Sequence, residues 1–222
     1  SILVAVPGGE FIMGHGGDDN PEHTVTVSDF WMYRAKVTNS QFAFCVAMGK
    51  CTPPNTEKNQ GYSDPFKANH PVVGVNYEQA ASYCSFVNGR LPTEAEWEKA
   101  ARGPNGNEFP WGNEWHAENV NSGGRATQVL PVGSLPQGRS PYGAFDMAGN
   151  VLEWVEDWFE AYPGADYQSP RYGQQTKVAR GGSWGGVGHY VIPHYFRSAY
   201  RYNFPPNAGY NDIGFRCAKD AL

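Results

Sequence analysis

Glycine and proline recur so often along this chain, 27 and 17 times in 222 residues, that long regular elements have little room to form. Helices must be short and marked by their own caps. Thr38-Asn-Ser-Gln41, Asn76-Tyr-Glu-Gln79 and Thr93-Glu-Ala-Glu96 each place a capping side chain three residues ahead of Gln or Glu. The first predicts a helix from Thr38 through Phe42 and Val46 to a stop at Gly49. The second carries Ala80, Ala81, Tyr83 and Cys84, and the third runs over residues 93–102. Upstream, residues 10–14 and 23–31 alternate as an antiparallel strand pair across the turn at 16–21. Residues 52–69 have no period and are expected to be an irregular loop. Residues 70–76 are a short apolar run, and Phe109-Pro-Trp-Gly-Asn113 is an aromatic turn.

The length suits one domain, 1–222, with a real core. A net charge of -5 with no Lys/Arg cluster excludes the counterion-releasing surface of a nucleic-acid binder. No run of about 18 apolar residues exists, so direct membrane insertion is not expected. The chain opens Ser1-Ile-Leu-Val without an initiator Met, as expected of a mature or excised portion of a longer product. Its four cysteines allow two disulfides. Cys45 and Cys51 are close enough in sequence to bridge at one helix end, and a Cys84 to Cys217 bridge would pin the C-terminal strand to the second helix. Four buried free thiols are the alternative.

Residues 185–213 contain no Trp, Met, Lys, Glu or Gln, although all five types occur elsewhere. A Gly/Pro/Asn-rich loop accounts for part of that. The sharper explanation is genetic, because every residue in the segment can be written with a codon ending in a pyrimidine, as follows if AAY and AGY codons were randomised at their adenines. Tyr190, Tyr195, Tyr200, Tyr202 and Tyr210, with Phe196 and Phe204, offer large contact area for few rotatable bonds, and the Gly, Ser and Asn between them supply adaptable polar contacts. A chain that is 14% aromatic must also bury many of its rings, so exposure separates surface from core.

Five motifs follow one another along nearly the whole chain. They are Gly89-Arg-Leu-Pro-Thr-Glu-Ala-Glu-Trp-Glu-Lys-Ala-Ala-Arg-Gly103, Pro110-Trp-Gly-Asn113, Gly143-Ala-Phe-Asp-Met-Ala-Gly-Asn-Val-Leu-Glu-Trp154, Arg180-Gly-Gly-Ser-Trp184 and Gly214-Phe-Arg-Cys217. In this order they resemble the formylglycine-generating enzyme (sulfatase-modifying factor) family. The resemblance implies an α+β fold: an irregular C-type-lectin-like architecture with antiparallel strands, about three helices and much loop.

Enzymes of this family oxidise a substrate cysteine with two cysteines that bind copper(I), placed shortly after the Gly-Gly-Ser-aromatic motif; soft thiolates suit that ion. Here the corresponding stretch, residues 185–196, has no cysteine, and two imidazoles among aromatic residues, His189 and His194, are more often surface or core groups than copper ligands. No copper and no catalytic residue are therefore expected, although a formylglycine-generating or related oxidase with a divergent site is the alternative. The resemblance also implies a calcium loop, with side-chain oxygens from Asp146 and Glu153 and carbonyls from Gly149 and Val151.

The C-terminal stretch, residues 180–217, looks like the variable region of diversity-generating-retroelement variable proteins. Arg180 to Trp184, Arg197-Ser-Ala-Tyr-Arg201 and Gly214 to Arg216 match their fixed elements. That resemblance implies a hypervariable surface for a macromolecular ligand, most simply a protein, on a cell-surface, secreted or virion-associated molecule. The expected contacts are His189, Tyr190, His194, Tyr195, Tyr200, Tyr202, Phe204, Tyr210, Asn211 and Asp212. Arg197 and Arg201 are expected to be fixed, satisfying buried carbonyls or a carboxylate.

Overall fold

Each capped segment forms a helix. In the computed structural model, which describes residues 2–123, 128–185 and 192–221, α1 (Asn39–Ala47), α2 (Tyr77–Phe86) and α3 (Glu94–Arg102) begin after Thr38, Asn76 and Thr93. At each, the cap side chain accepts from the third helical N–H, and the Gln or Glu there accepts from the cap's own N–H, satisfying donors that the helix start leaves open. Gly49 and Gly103 follow α1 and α3 at φ +68°, where a side chain would be strained.

The opening strand pair forms but stops short of its pattern. β2 (Gly9–Met13) pairs antiparallel with β3 (His23–Val27). The chain then breaks at Ser28 and Asp29, where Asp29 Oδ1 accepts from the Gly8 N–H at 2.6 Å. Phe30 starts a separate strand, β4 (Phe30–Tyr33), which sits between β1 (Leu3–Val6) and β9 (Ala218–Asp220) in a three-stranded antiparallel sheet. The expected strand over 23–31 is thus two strands in two sheets. Alternation continues across the break, so periodicity does not mark it.

A four-stranded sheet carries the C-terminal motifs. Its order is β7 (Arg201–Phe204), β6 (Lys177–Arg180), β5 (Leu152–Trp158), β8 (Ile213–Phe215). β5 and β8 are parallel and the other pairs antiparallel; the chain makes the long return that a parallel pair needs by passing through β6 and β7. Both faces of the sheet are covered. Trp154, Ala179 and Phe215 pack with Phe42 and Tyr83 from α1 and α2. On the other side Val155 and Val178 meet Trp97 of α3 and Phe30 and Met32 of β4. Residues 70–76 form no named strand; their backbone is spent on Val37 and Tyr210, whose carbonyls accept from Val72 and Gly74.

Cys45 is bonded to Cys51, and Cys84 to Cys217. The second bridge joins α2 to the segment between β8 and β9, across 133 residues of sequence. Among the described residues no helix is long and apolar enough to cross a membrane.

Candidate ligand-binding surface

Two buried charge clusters hold the four-stranded sheet. In the first, Glu153 of β5 is fully buried, and its carboxylate accepts from Lys36 Nζ at 2.6 Å and from Arg216 Nε and Nη2 at 2.5 and 2.9 Å. Burial alone would push the Glu153 carboxyl up, but the Arg216 and Lys36 charges outweigh it and hold its pKa below the ordinary value. Lys36 also donates to the Asp146 carbonyl at 2.7 Å, and the Asp146 carboxylate accepts from the Gly133 N–H at 2.8 Å.

This arrangement does not fit the calcium role that the resemblance implies. Both Glu153 oxygens face cationic donors, so a divalent cation there would meet an ammonium and a guanidinium at close range. The carboxylates of Asp146 and Glu153 are instead taken up by Gly133, Lys36 and Arg216 from outside the loop. A Cβ at Gly149 would come within 2.6 Å of the Asn121 carbonyl oxygen. Among the described residues no group of three or more His, Cys, Asp or Glu side chains is placed to hold a metal.

The second cluster fastens the outer edge. Glu94 and Glu98, four apart on α3, share the buried face that carries Trp97. Arg180 at the end of β6 is fully buried and bonds Glu94 Oε1 at 3.2 Å and Glu98 Oε2 at 2.5 Å. The same guanidinium donates to the Ser198 and Ala199 carbonyls at 2.7 and 3.1 Å. Arg201 of β7 holds both Glu94 oxygens, at 2.8 and 2.9 Å. Burial opposes the Arg201 charge, yet Glu94 raises its pKa overall. The backbone entering β7 is therefore gripped from beneath. Sequence reasoning passed over this cluster, although a carboxylate pair at i, i+4 on the face of a buried Trp requires buried cations.

Above this fastening the rings form a strip. Tyr200, Tyr202 and Phe204 alternate along one side of β7 and its entry. Tyr200 meets Tyr202 at 4.8 Å, Tyr202 stacks on Phe204 at 6.5 Å, and Phe204 meets Tyr210 at 5.1 Å. At the other end Tyr200 meets both Tyr195 and His194 at 5.1 Å. Tyr195, Tyr200, Tyr202, Phe204 and Tyr210 are half-buried; His194 is exposed. Burial pushes the Tyr200 phenol up to about 12 and raises Tyr202 as well, so both stay neutral near pH 7. Tyr202 spends its hydroxyl on the Tyr195 carbonyl at 3.0 Å.

The structure thus brings six of the expected contacts together. His189 and Tyr190 lie outside the described residues. Asn211 is exposed beyond the Tyr210 end of the strip, while Asp212 is half-buried and accepts from Ser183 Oγ at 2.8 Å. Phe196 belongs to neither end: it is buried against Phe109, Val120 and Ala148. Arg201 satisfies a buried carboxylate as expected, and Arg197 also satisfies a carboxylate, nearer the surface. It pairs at the surface with Glu108 at 2.7 Å, both side chains being about one-third exposed.

The model of the sulfatase-modifying factor enzyme 1-like domain matches residues 2–221. The formylglycine-generating enzyme of Thermomonospora curvata is 32% identical over 99% of this chain and 94% of its own. The serine/threonine-protein kinase Pkn1 of Chlamydia trachomatis is 34% identical over 98% of this chain, which spans only 38% of the kinase's length. Among solved structures, PvdO from Pseudomonas aeruginosa superposes with TM-score 0.76 at 27% identity, covering 99% of this chain and 94% of PvdO. Treponema denticola variable protein 1 superposes at 0.78 with 24% identity, covering 99% and 95%. The P3c variant of the Major Tropism Determinant shares the fold more distantly, at TM-score 0.52 and 14% identity over 97% of this chain and 62% of its own. With its α+β scaffold, its capped helices and its ordered motifs matched from end to end, the chain belongs to the sulfatase-modifying factor enzyme 1-like family.

Proposed function

We propose that this protein is a non-catalytic binding protein that presents a diversified aromatic surface to a macromolecular ligand, most simply another protein. One observation carries the reading: the ring strip from His194 to Tyr210 lies on a backbone fastened from below by Arg180 and Arg201, within the segment whose residues can all be written with pyrimidine-ending codons. Fixed backbone with interchangeable rings is what a selected recognition surface needs. The fold shared with Treponema denticola variable protein 1 supports it.

The oxidase reading draws on the relationship to formylglycine-generating enzymes. It lacks a thiolate pair to work with, since the four cysteines of the sequence are all in disulfides and none falls between Gly185 and Arg216. Copper(I) chemistry through soft sulfur ligands has no donor there.

Sequencing the gene's 3′ end across a population of the source organism or virus tests the proposal. Substitutions gathered at codons 185–212 and traceable to adenines in a nearby template copy are expected. A uniform segment without a template would overturn diversification, and conversion of a cysteine-containing sulfatase-type peptide by the purified protein would overturn the non-catalytic assignment.

A further inference from the structure

β7 ends the four-stranded sheet, and the register of the ladder fixes which of its backbone groups face outward. The Leu152 N–H donates to the Asp212 carbonyl at 2.8 Å, so Leu152 turns its backbone polar groups toward β8 and Glu153 turns its own toward β6. Glu153 pairs with Arg180, which leaves Ala179 directed at β7 and at its partner there, Tyr202. Tyr202 and Phe204 therefore bond inward, while the N–H and C=O groups of Arg201 and Asn203 point away from the sheet. Among the described residues none of those four groups has a hydrogen-bond partner.

This open stretch has defined ends. Upstream, the Ala199 carbonyl is already taken by Asn20 Nδ2 at 2.7 Å and Arg180 Nη1 at 3.1 Å. Downstream, Pro205 and Pro206 carry no N–H, and the Pro206 carbonyl accepts from the Tyr77 N–H at 3.0 Å. An edge of this length admits one extended segment of about four residues. The rings beside it keep the strand's own period: Tyr202 stacks on Phe204 at 6.5 Å, close to the repeat of about 6.4–6.8 Å between alternate residues of a strand. A polyproline helix, which repeats every 9 Å or so, matches it less well. Charge narrows the occupant further. Arg197 and Arg201 are spent on Glu108 and Glu94, and burial holds the His194 pKa below its ordinary value. A charged side chain laid across the rings would give up water without gaining an opposite charge.

We propose that β7 is an edge template, to which an extended segment of the macromolecular ligand adds as a further strand, bonding the backbone of Arg201 and Asn203 while its alternate, uncharged side chains pack against the rings. This deepens the binding reading above and rests on it for the claim that the ring strip is the recognition surface. Backbone bonds do not depend on which side chains stand at 200, 202 and 204. They supply a constant share of the affinity, and the rings set identity.

The test pans the whole chain against a phage-displayed library of linear peptides of about twelve residues, then remakes the strongest peptide with one N-methyl group at each position in turn. Losses of about tenfold or more are expected at two positions separated by one tolerant position. Amide hydrogen exchange at Arg201 and Asn203 should slow about tenfold or more in the complex. Asn203→Pro removes an outward N–H without touching the ladder to β6, and should weaken the peptide about tenfold. Asn203→Ala keeps that N–H and should stay within about threefold. If Asn203→Pro fails to fold, the exchange measurement on the unaltered chain decides. Failure to select any peptide, N-methyl losses without alternation, unchanged exchange at Arg201 and Asn203, or equal losses in the two variants overturns the template. Failure of the binding reading is separable through population sequencing. A diversified gene with unchanged exchange removes only the template, and an alternating pattern in an invariant gene removes only the diversification.

Discussion

The two edges of the four-stranded sheet are built by opposite rules. At the β8 edge, Ile213, Gly214 and Phe215 are all buried, and the strand is tied by the parallel pairing to β5 and the neighbouring Cys84–Cys217 bridge. At the β7 edge every residue is half-buried: Tyr202 and Phe204 rest one side against the core, and the strongest polar restraint falls on the backbone and Arg201. Side chains at the first edge are dictated by close packing, where a methylene matters. At the second, substituting a ring leaves the Arg180 and Arg201 fastening in place. The proposed diversified surface would need this separation.

The difference is broken most severely at the β8 edge. Arg216→Met would leave Glu153 buried with Lys36 as its remaining cation, and removing one partner of a buried pair typically costs about 3–5 kcal/mol. Chemical denaturation should read a loss near the top of that range. A loss under about 1 kcal/mol would mean that Lys36 alone neutralises Glu153 and that the cluster is not the keystone of this edge.

Effects of comparable and then smaller size follow from the two disulfides. The Cys84–Cys217 bridge closes 133 residues and the Cys45–Cys51 bridge only 6. In the chain-entropy account the first stabilises by about 4–5 kcal/mol and the second by about 2. Paired alanine replacements, compared by denaturant midpoint, should keep that order. The reverse order would place the restraint at the end of α1 rather than beside β8.

How much of this was legible in the sequence follows the same line. The helix starts were legible because a capping box is a local device, complete within four residues. The ring strip was legible as composition, not as a strand. Lys36 was not, since nothing near it in sequence announces that Glu153 and Arg216 lie beside it in space. The cations around Glu153 were hidden for the same reason: a motif gives the carboxylate but not the Lys36 and Arg216 groups that reach it from distant segments. The break between β3 and β4 escaped because its cause, the Gly8 to Asp29 contact, is also long-range.

At the fastening of the β7 edge the expected effect depends on pH. Asp157 accepts from the Glu94 N–H at 2.6 Å, at the start of the helix whose Glu94 carboxylate holds Arg180 and Arg201. Burial pushes its carboxyl up to about 6, above the ordinary value of 3.8. A raised acid binds more protons folded than unfolded between those values, so its contribution falls as pH rises from about 4 to about 6. Asp157→Asn keeps an acceptor for Glu94 and removes the titration. Over that interval the wild-type stability should decline relative to the variant by at most about 2 kcal/mol, read from paired denaturation curves. Parallel curves would show that Asp157 titrates as an ordinary exposed acid.

The smallest effect is expected on the strip itself, at His194. Its ring is exposed and meets Tyr195, Tyr200 and His15 only edge-on, at 5.3, 5.1 and 6.0 Å. Exposed edge contacts of this kind contribute little beyond the area they cover. His194→Ser, a change within the codon-restricted alphabet, should shift stability by no more than about 0.5 kcal/mol, the range of ordinary surface substitutions. The measurement is the denaturant midpoint with the slope held constant. A loss of about 2 kcal/mol or more would mean that the rings carry the fold of this edge, so that variation there could not be free and the contrast with β8 would collapse.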